Sequence, residues 1–157
     1  ISDGPVTSSN VTGNVLLDQY AGDVTTEPVT FEFEDSSATI TTFSNVALDS
    51  SGNYSIATGL PDGTYSVYAK AATFLRKKVS NVTLTGGGAS AVDFSLINGD
   101  VDGSNNVDIV DYLTMVAAFD TNLGDSGYDP NADLDKSTGV DLGDYLIMTA
   151  SFDMVGD

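Results

Sequence analysis

The sequence predicts a mainly β chain with a small α-helical part: a seven-stranded β-sandwich over residues 11–97, followed by a segment with two loops and two helices over residues 98–157. Three observations predict this fold class. Short alternations of apolar and polar residues, separated by turn residues, fill the first two thirds of the chain. Helical periodicity starts only near residue 107, and one segment of the last third occurs twice.

The alternating segments predict the seven strands. Between them, the stretches "DSSGN", "LPDGT" and "TGGGA" supply the Gly, Asn and Asp residues that tolerate tight turns. Because side chains of a strand point alternately to its two faces, this pattern is typical of sheets that bury one face. The predicted strands are 11–17, 28–34, 38–43, 53–58, 64–71, 77–84 and 89–97.

Part of this region resembles a known family. Residues 47–71, "ALDSSGNYSIATGLPDGTYSVYAKA", are similar to the carboxypeptidase regulatory-like and collagen-adhesin B-type repeats, in which D-x-x-G-x-Y and L-P-x-G-x-Y-x-V mark consecutive strands. The resemblance implies an immunoglobulin-like seven-stranded sandwich that serves as a spacer or accessory module and is not catalytic. Some adhesin members carry a Lys to Asn isopeptide bond with the Lys on the first strand. The first strand here has no Lys, so we expect no such cross-link.

Charge and missing residue types exclude several functions. The chain has 23 acidic and five basic residues, and its net charge of −18 opposes binding to nucleic acid or to anionic membranes. It has no Cys and no His, which excludes thiol nucleophiles, zinc sites and Ser-His-Asp triads. No apolar run is long enough to predict insertion into a membrane. We therefore expect a protein without enzymatic activity, whose Asp-rich last third binds cations.

The repeated segment predicts two calcium sites. Residues 100–111, "DVDGSNNVDIVD", and residues 133–144, "DLDKSTGVDLGD", carry acidic residues at loop positions 1, 3, 9 and 12. Twelve of 21 aligned positions are identical between the copies. EF-hand loops supply oxygen ligands to Ca²⁺ from about six such positions, 1, 3, 5, 7, 9 and 12. The predicted ligands of the two ions are Asp100, Asp102, Ser104, Asn106, Asp108 and Asp111, then Asp133, Asp135, Ser137, Gly139, Asp141 and Asp144.

Each loop is expected to lead into a helix, over 111–120 or 144–153. The apolar residues Val107 and Val140, at loop position 8, are predicted to pack the loops together through a short strand pair. Apolar residues then recur at helical spacing, and we expect the two resulting stripes to pack against each other. The stripes are Ile109, Tyr112, Leu113, Val116 and Ala117, then Leu142, Tyr145, Leu146 and Ala150.

Residues 98–155 resemble a dockerin, the paired EF-hand-like module of cellulosomes and other extracellular proteins, which keeps each loop and its exiting helix but lacks the entering helix. Asp in place of Glu at position 12 is also dockerin-like. Dockerins of cellulosomes bind cohesins mainly through loop positions 10 and 11, so the resemblance implies Ile109, Val110 and Leu142 as candidate partner contacts. Ile109 and Leu142 also begin the apolar stripes, which favours an intramolecular core position for them.

Two further sets of residues are candidate surface sites. Four basic residues lie within nine positions of one predicted hairpin. They form either a solvated strand face or a docking patch for an acidic surface, for which the Asp-rich part of the same chain is the nearest candidate. Three glycosylation sequons also occur, about as many as the composition gives by chance. The basic residues are Lys70, Arg76, Lys77 and Lys78, and the sequon residues are Asn10, Asn53 and Asn81.

Two functions without catalysis fit these expectations. In the first, the chain is a secreted, calcium-binding structural protein that joins copies of itself into a cell-surface filament or layer. The polar segment 1–10 would then be donated to a neighbouring subunit. In the second, it is a docking tail that anchors a secreted enzyme to a cohesin-type scaffold. The start at Ile1 rather than Met suits either a mature chain after removal of a signal peptide or a fragment.

Overall fold

The computed structural model describes residues 10–157, which form two packed parts, each with its own apolar core. Residues 1–9 lie outside the described residues, so the predicted donation of segment 1–10 to a neighbouring subunit stays a prediction. Within the described part of the chain, neither helix has the length and hydrophobicity needed to cross a membrane.

The first part is a β-sandwich, and its strands correspond to the seven that were predicted. Five strands differ from the prediction in their bounds, three of them by only one or two residues. The two larger differences follow Ala38 and Ala91, whose positive φ values of 61° and 56° interrupt the extended backbone. The third strand therefore starts later than predicted, and the seventh is reduced to three residues. The strands are β1 Val11–Leu17, β2 Val29–Glu34, β3 Ile40–Val46, β4 Asn53–Ile56, β5 Gly63–Lys70, β6 Lys77–Leu84 and β7 Phe94–Leu96.

The strands form one sheet of three and one of four. The first sheet has the order β4-β1-β7, in which β1 runs antiparallel to β4 and parallel to β7. The second has the order β3-β2-β5-β6, and all its pairs are antiparallel. A 3₁₀ turn, Val24–Thr26, connects the first sheet to the second. This mainly β architecture confirms the predicted sandwich.

The core of the sandwich lies between the two sheets. In β2, the side chains of Val29, Phe31 and Phe33 are buried, and the residues between them stay partly exposed. The ring of Phe31 lies 4.3 Å from that of Tyr54 and 5.7 Å from that of Phe94, measured between centroids. These contacts join the second sheet to two strands of the first, and aromatic pairs of this kind contribute about 1 kcal/mol each beyond burial.

The second part contains two helices and one short antiparallel pair of strands. Both helices begin and end two residues earlier than predicted, because the Asp at loop position 9 caps the helix in each copy. The elements are α1 Ile109–Ala118, β8 Thr121–Asn122, β9 Gly139–Val140 and α2 Leu142–Ser151.

The predicted strand pair between Val107 and Val140 is wrong. Both side chains are buried in the second core, but β9 pairs with β8, which follows α1. The backbone N–H of Asp120 donates to Val140 O, and the equivalent N–H of Asp153, after α2, donates to Val107 O, both over 2.8 Å. The segment that follows each helix therefore runs beside the other loop and forms hydrogen bonds with its backbone. These bonds occupy the backbone groups through which the two loops would have paired.

The predicted core stripes are confirmed for Tyr112 and Tyr145, whose rings pack on the second core with centroids 6.4 Å apart, and are wrong for the larger aliphatic residues. Ile109, Leu113, Leu142 and Leu146 are 56–60% exposed. In α1 the buried residues are the loop-closing Asp at position 12 and the residues four and seven positions after it, which share its face of the helix. In α2 the residues at the same spacings after Asp144 are buried as well, together with Ile147. Since the closing carboxylate must face the loop, it turns the apolar stripe outwards.

Candidate functional site

The two repeated loops bring acidic side chains together in the same way. In each loop, the carboxylates at positions 1, 3 and 12 offer oxygen atoms that lie within 4.8 Å of one another. The carboxylates at positions 1 and 12 are buried, although carboxylates are among the groups least often buried in proteins. The two carboxylate clusters are Asp100, Asp102 and Asp111, and Asp133, Asp135 and Asp144.

The carboxylate at position 12 closes each loop through backbone hydrogen bonds. Asp111 accepts from the N–H of Asp102 over 3.0 Å with one oxygen and from the N–H of Asp108 over 2.8 Å with the other. Asp144 makes the equivalent two bonds in the second loop, at 3.1 and 2.8 Å. One side chain thereby ties the start of the loop to the start of the helix, and its short length fits Asp rather than Glu.

The Asp at position 9 also caps the helix that follows each loop. Asp108 and Asp141 are the N-caps of α1 and α2, and their side chains accept from the N–H of Val110 over 2.8 Å and of Gly143 over 2.7 Å. Neither belongs to the carboxylate clusters. Because the cap uses one carboxylate oxygen, only the other could serve a metal, directly or through water.

Loop positions 5 and 7 lie next to each other as predicted ligands should. The hydroxyl of Ser104 lies 3.5 Å from the carbonyl oxygen of Asn106, and that of Ser137 lies 3.3 Å from the carbonyl oxygen of Gly139. The structure therefore brings a hydroxyl and a backbone oxygen together in both loops.

Loop position 6 adopts the left-handed conformation in both copies, with φ of 69° at Asn105 and 79° at Thr138. This turn directs the N–H of Asn105 to Asp100 Oδ2 over 3.0 Å, and the N–H of Thr138 to Asp133 Oδ2 over 3.1 Å. A residue other than Gly in this conformation costs about 1 kcal/mol, and a β-branched one costs more than Asn.

Replacement of Thr138 by Gly is therefore expected to stabilise the protein by about 0.5 to 1 kcal/mol. The matched replacement, Asn105→Gly, is expected to destabilise it by about 1 kcal/mol, because the side chain of Asn105 also accepts from the N–H of Arg76 over 2.7 Å. Urea unfolding at fixed calcium concentration measures both changes. Shifts of the same sign and size in the two variants would contradict this difference.

Burial and crowding set the electrostatics of the clusters. Burial raises the pKa of Asp111 and Asp144, and the neighbouring carboxylates of each cluster raise it further. The pKa of Asp102 is lowered, mainly by a hydrogen bond from the Ser104 side chain. Keeping several carboxylates charged side by side costs free energy that a bound cation would offset.

One oxygen of Asp100 has no hydrogen-bond partner among the described residues. Asp100 is fully buried, and its Oδ2 accepts from Lys70 Nζ over 2.9 Å and from the Asn105 N–H, whereas its Oδ1 is buried and accepts no bond. A buried carboxylate oxygen without a partner is costly. It is free to bind a cation, and a set of donors made only of oxygens fits Ca²⁺ better than a softer metal.

The equivalent residue of the second loop, Asp133, has a neutral partner. The hydroxyl of Tyr128 donates to Asp133 Oδ2 over 2.6 Å, and the N–H of Ser137 donates to its Oδ1 over 3.0 Å. Burial, and then the hydrogen bond with Asp133, raise the pKa of Tyr128 to about 12. The hydroxyl therefore stays protonated and keeps donating at neutral pH.

All four clustered basic residues contact the Asp-rich part of the chain, three through their side chains and Lys78 through its backbone N–H, which donates to Asp157 Oδ2 over 2.9 Å. Lys70 forms an ion pair of 2.9 Å with Asp100, Arg76 Nη1 donates to the backbone oxygen of Asp157 over 3.3 Å, and Lys77 Nζ lies 3.9 Å from an Asp157 carboxylate oxygen. These contacts favour a docking patch over a solvated strand face. The acidic surface that the patch contacts belongs to the same chain.

The remaining predicted surface residues are exposed. The ammonium of Lys78 lies 5.4 Å from the ring centroid of Tyr68, consistent with a cation–π contact on a strand face. Asn10, Asn53 and Asn81 are exposed, and glycosylation at these three sequons stays a prediction.

Polar and apolar residues that were not predicted join the two parts. Asn98 is buried; its side chain donates to Leu134 O over 2.8 Å and accepts from the Thr73 hydroxyl over 3.0 Å. Leu75, between β5 and β6, belongs to the second core rather than to the sandwich core. The side chain of Asn105, which accepts from the N–H of Arg76, joins the two parts as well. Gly is usual at its position in such loops, and this departure was the one signal in the sequence for such a contact.

Apolar side chains are exposed on both helices. We call the outward apolar residues of α1 and α2 the helix faces; each residue is 48–60% exposed, and together they include all three predicted partner contacts. The predicted intramolecular core position of Ile109 and Leu142 is wrong, for the reason given above. The helix faces consist of Ile109, Val110, Leu113 and Val116 on α1, and Leu142 and Leu146 on α2.

No protein-family model matches the chain, and no curated protein matches it. The solved structures similar to it include two type II cohesin–X–dockerin complexes from Acetivibrio cellulolyticus, one a C-terminal and one an N-terminal interface mutant. The identities are 22% and 23%, and the TM-score is 0.74 in both comparisons. Each comparison covers 94% of this chain and 97% of the other. At this level of identity, the likeness shows that the chain shares its fold with a chain of these complexes.

Proposed function

We propose that this chain is an extracellular docking protein without enzymatic activity, in which two calcium ions hold the last third in shape for binding to a cohesin-type module. The observation that carries this proposal is the exposure of the helix faces directly after two loops built from clustered carboxylates. This corresponds to the second of the two functions that the sequence predicts.

The carboxylate clusters support the calcium part of the proposal. Each cluster has three converging carboxylates, two of them buried, and a nearby hydroxyl and backbone oxygen at positions 5 and 7. The unpartnered Oδ1 of Asp100 is a second, independent indication of a cation in the first loop. When bound, Ca²⁺ would supply charge compensation to these groups and fix the loops, and it would take no part in a reaction.

The helix faces support the docking part. Large apolar side chains at 48–60% exposure on two short helices are typical of a surface that binds another protein. We favour a cohesin-type partner because the similar structures are complexes that contain cohesin, and because the likeness covers 94% of this chain, more than the sandwich alone. The same complexes support an extracellular setting of the scaffold type.

The loops and the helix faces are connected through the helix starts. Asp108 caps α1, and Asp111 bonds to the N–H of Asp108 from the first turn of the same helix. A calcium ion that fixes Asp111 would therefore also fix the first turn of α1, which carries Ile109 and Val110. Docking through the helix faces should accordingly depend on calcium.

The test is binding of the chain to an isolated type II cohesin module, measured by isothermal titration calorimetry in calcium and in EDTA. Leu113→Asp and Leu146→Asp place a charge in each helix face and are expected to weaken binding about 30-fold or more, the effect typical of a central interface residue. Leu16→Asp is the matched control, because Leu16 on β1 is 58% exposed, as Leu113 is. Equal effects at Leu16 and Leu113, or equal binding in EDTA, would contradict the proposal.

Self-association into a filament or layer, the other predicted function, stays a prediction. It assigns segment 1–10 to a neighbouring subunit, and most of this segment lies outside the described residues. Light scattering of the purified chain in calcium tests it directly, since a mass that rises with concentration in the absence of cohesin would favour joining of copies.

A further inference from the structure

The position-1 carboxylates of the two loops are held by partners of different charge. In both loops, the N–H of position 6 donates to Oδ2 of this carboxylate, over 3.0 Å in the first loop and 3.1 Å in the second. The other donor to Oδ2 is the ammonium of Lys70 for Asp100 and the neutral hydroxyl of Tyr128 for Asp133. Lys70 comes from the sandwich, whereas Tyr128 lies between the loops.

Lys70 is fixed in this place by three acceptors. Besides Asp100, its ammonium donates to Phe74 O over 2.7 Å and to Ala71 O over 3.2 Å. Both carbonyls belong to the turn that follows β5 and leads towards the second core. The ammonium is therefore held beside the first carboxylate cluster by the backbone of the sandwich and is only partly exposed to water.

The second loop has a basic residue of its own, but that residue does not form an equivalent contact. Lys136, at position 4, donates to the carbonyl oxygen of Pro130. Among the described residues, its ammonium forms no ion pair with a carboxylate, whereas Lys70 contacts Asp100 directly. The charge difference between the two position-1 partners is therefore not cancelled by Lys136.

We propose that the ammonium of Lys70, held beside Asp100, makes the first calcium site weaker than the second. This inference rests on the proposed function, because it requires that both loops bind calcium. Without calcium, the ammonium neutralises Asp100 and stabilises the empty loop. When calcium binds, the ammonium repels the incoming divalent cation in a poorly hydrated site. A group that stabilises the calcium-free state more than the bound state lowers the affinity.

The ion pair between Lys70 and Asp100 also couples calcium binding to the contact between the sandwich and the second part. Lys70 belongs to β5, and Asp100 belongs to the first loop, so the ion pair crosses from one part to the other. By linkage, if the ion pair weakens calcium binding, calcium weakens the ion pair by the same factor. The second loop, which has no partner from β5, should fill at lower calcium concentration and shape α2 before the first loop fills.

The order of filling can be measured in the wild-type chain. The backbone N–H groups of Asn105 and Thr138 each donate to the position-1 carboxylate of their loop, so their NMR signals report on the first and second site separately. Calcium is added stepwise to the full calcium-free chain. The Thr138 signal is expected to reach its midpoint at about tenfold lower calcium than the Asn105 signal, a factor that corresponds to one ordinary charge interaction. Equal midpoints or the reverse order would overturn the inference, whereas the absence of any response at either signal would overturn the proposed function.

A charge variant tests the cause. Lys70→Met removes the ammonium and keeps most of the chain length; it is expected to move the Asn105 midpoint to about tenfold lower calcium and to leave the Thr138 midpoint unchanged. Lys70→Arg keeps the charge and should leave the order of filling unchanged. Lys77→Met is the control, since Lys77 lies on the same hairpin and its ammonium pairs with the carboxylate of Asp157 rather than with a loop carboxylate.

A purely structural role of Lys70 predicts the opposite sign. If the lysine only oriented Asp100, its loss would weaken the first site and move the Asn105 midpoint to higher calcium, and this result would overturn the inference. The order of filling in the wild-type chain decides the question even if Lys70→Met fails to fold. Tyr128→Phe completes the comparison: it removes a hydrogen bond without changing charge, so it should weaken the second site.

Discussion

Removal of calcium from the intact chain is expected to lower the melting temperature of the last third well below that of the sandwich, while both parts stay folded at low temperature. The second part has a small core, and each loop packs two buried carboxylates, those of positions 1 and 12, close together. An ion at a free concentration about a thousand times its dissociation constant stabilises the folded state by about 4 kcal/mol. Two such ions supply a large share of the stability of a domain of this size, because small domains are stable by only a few kcal/mol. Without them, the last third is expected to melt first on heating.

Scanning calorimetry in calcium and in EDTA measures this effect. In calcium, we expect the two parts to unfold at high temperature, and in EDTA we expect an early loss of helical circular dichroism with the sandwich transition retained. Magnesium is the control ion: it demands a tighter octahedral shell, so it should not restore the melting temperature of the helices at the same concentration. Identical transitions in calcium and EDTA would show that the carboxylate clusters do not bind the ion.

Replacement of Leu75 by Ala is expected to destabilise the second part by about 2 to 5 kcal/mol, although Leu75 lies in the hairpin of the sandwich. Its side chain is buried in the second core together with Met115 and Met148. Its N–H donates to Ile97 O over 2.8 Å, so the backbone is fixed and cannot collapse into the cavity. A loss of this size would unfold the helices before the sheets.

Urea unfolding in calcium, followed by the helical circular dichroism for the second part and by backbone NMR signals of β2 and β5 for the sandwich, measures the effect on each part. Leu16→Ala is the matched control, because it removes the same atoms from an exposed position of β1 and should cost little. A loss confined to the sandwich signal in Leu75→Ala, or a loss equal to that of Leu16→Ala, would refute the shared core.

The sandwich was predictable because its signals are local. The D-x-x-G-x-Y motif shows this: Asp49 accepts from the N–H of Ser51 over 2.8 Å and of Asn53 over 2.9 Å, and Gly52 has a φ of 81°. The Tyr54 hydroxyl then donates to a backbone oxygen on the opposite side of the first sheet. Each residue of the motif acts within a few positions, so pattern and structure agree.

The buried faces of the helices were not predictable from apolar periodicity. The buried face of α1 is set by Asp111, a charged residue that the hydrophobic pattern assigns to solvent. Met115 and Ala118 follow at the same face, and the larger Ile109 and Leu113 are exposed. The loop spacing in the sequence did contain the information, since a carboxylate that closes the loop must point into it. The apolar periodicity and the loop spacing have to be combined, and where they disagree the loop spacing decides which face of the helix is buried.

The contacts between the two parts depend on tertiary packing and had no local signal. Asn98 and Leu134 are bonded across 36 residues, and Lys70 and Asp100 across 30. The sequence offered a basic cluster and an acidic region, which left a docking patch as one of two alternatives. Which acidic residue each base meets follows only from the path of the turn between β5 and β6.

The turn between β5 and β6 also has a mechanical consequence. It meets the second part through Thr73, whose carbonyl accepts from the N–H groups of Gly99 and Asp100 over 3.0 and 2.9 Å, through the buried Leu75, and through the ion pair of Lys70. A pulling force applied at the helix faces would act on these contacts in parallel with the backbone that links β7 to the first loop. The sandwich would then act as an anchor that shares tension, and the chain would resist being drawn apart at the very point where its two parts meet.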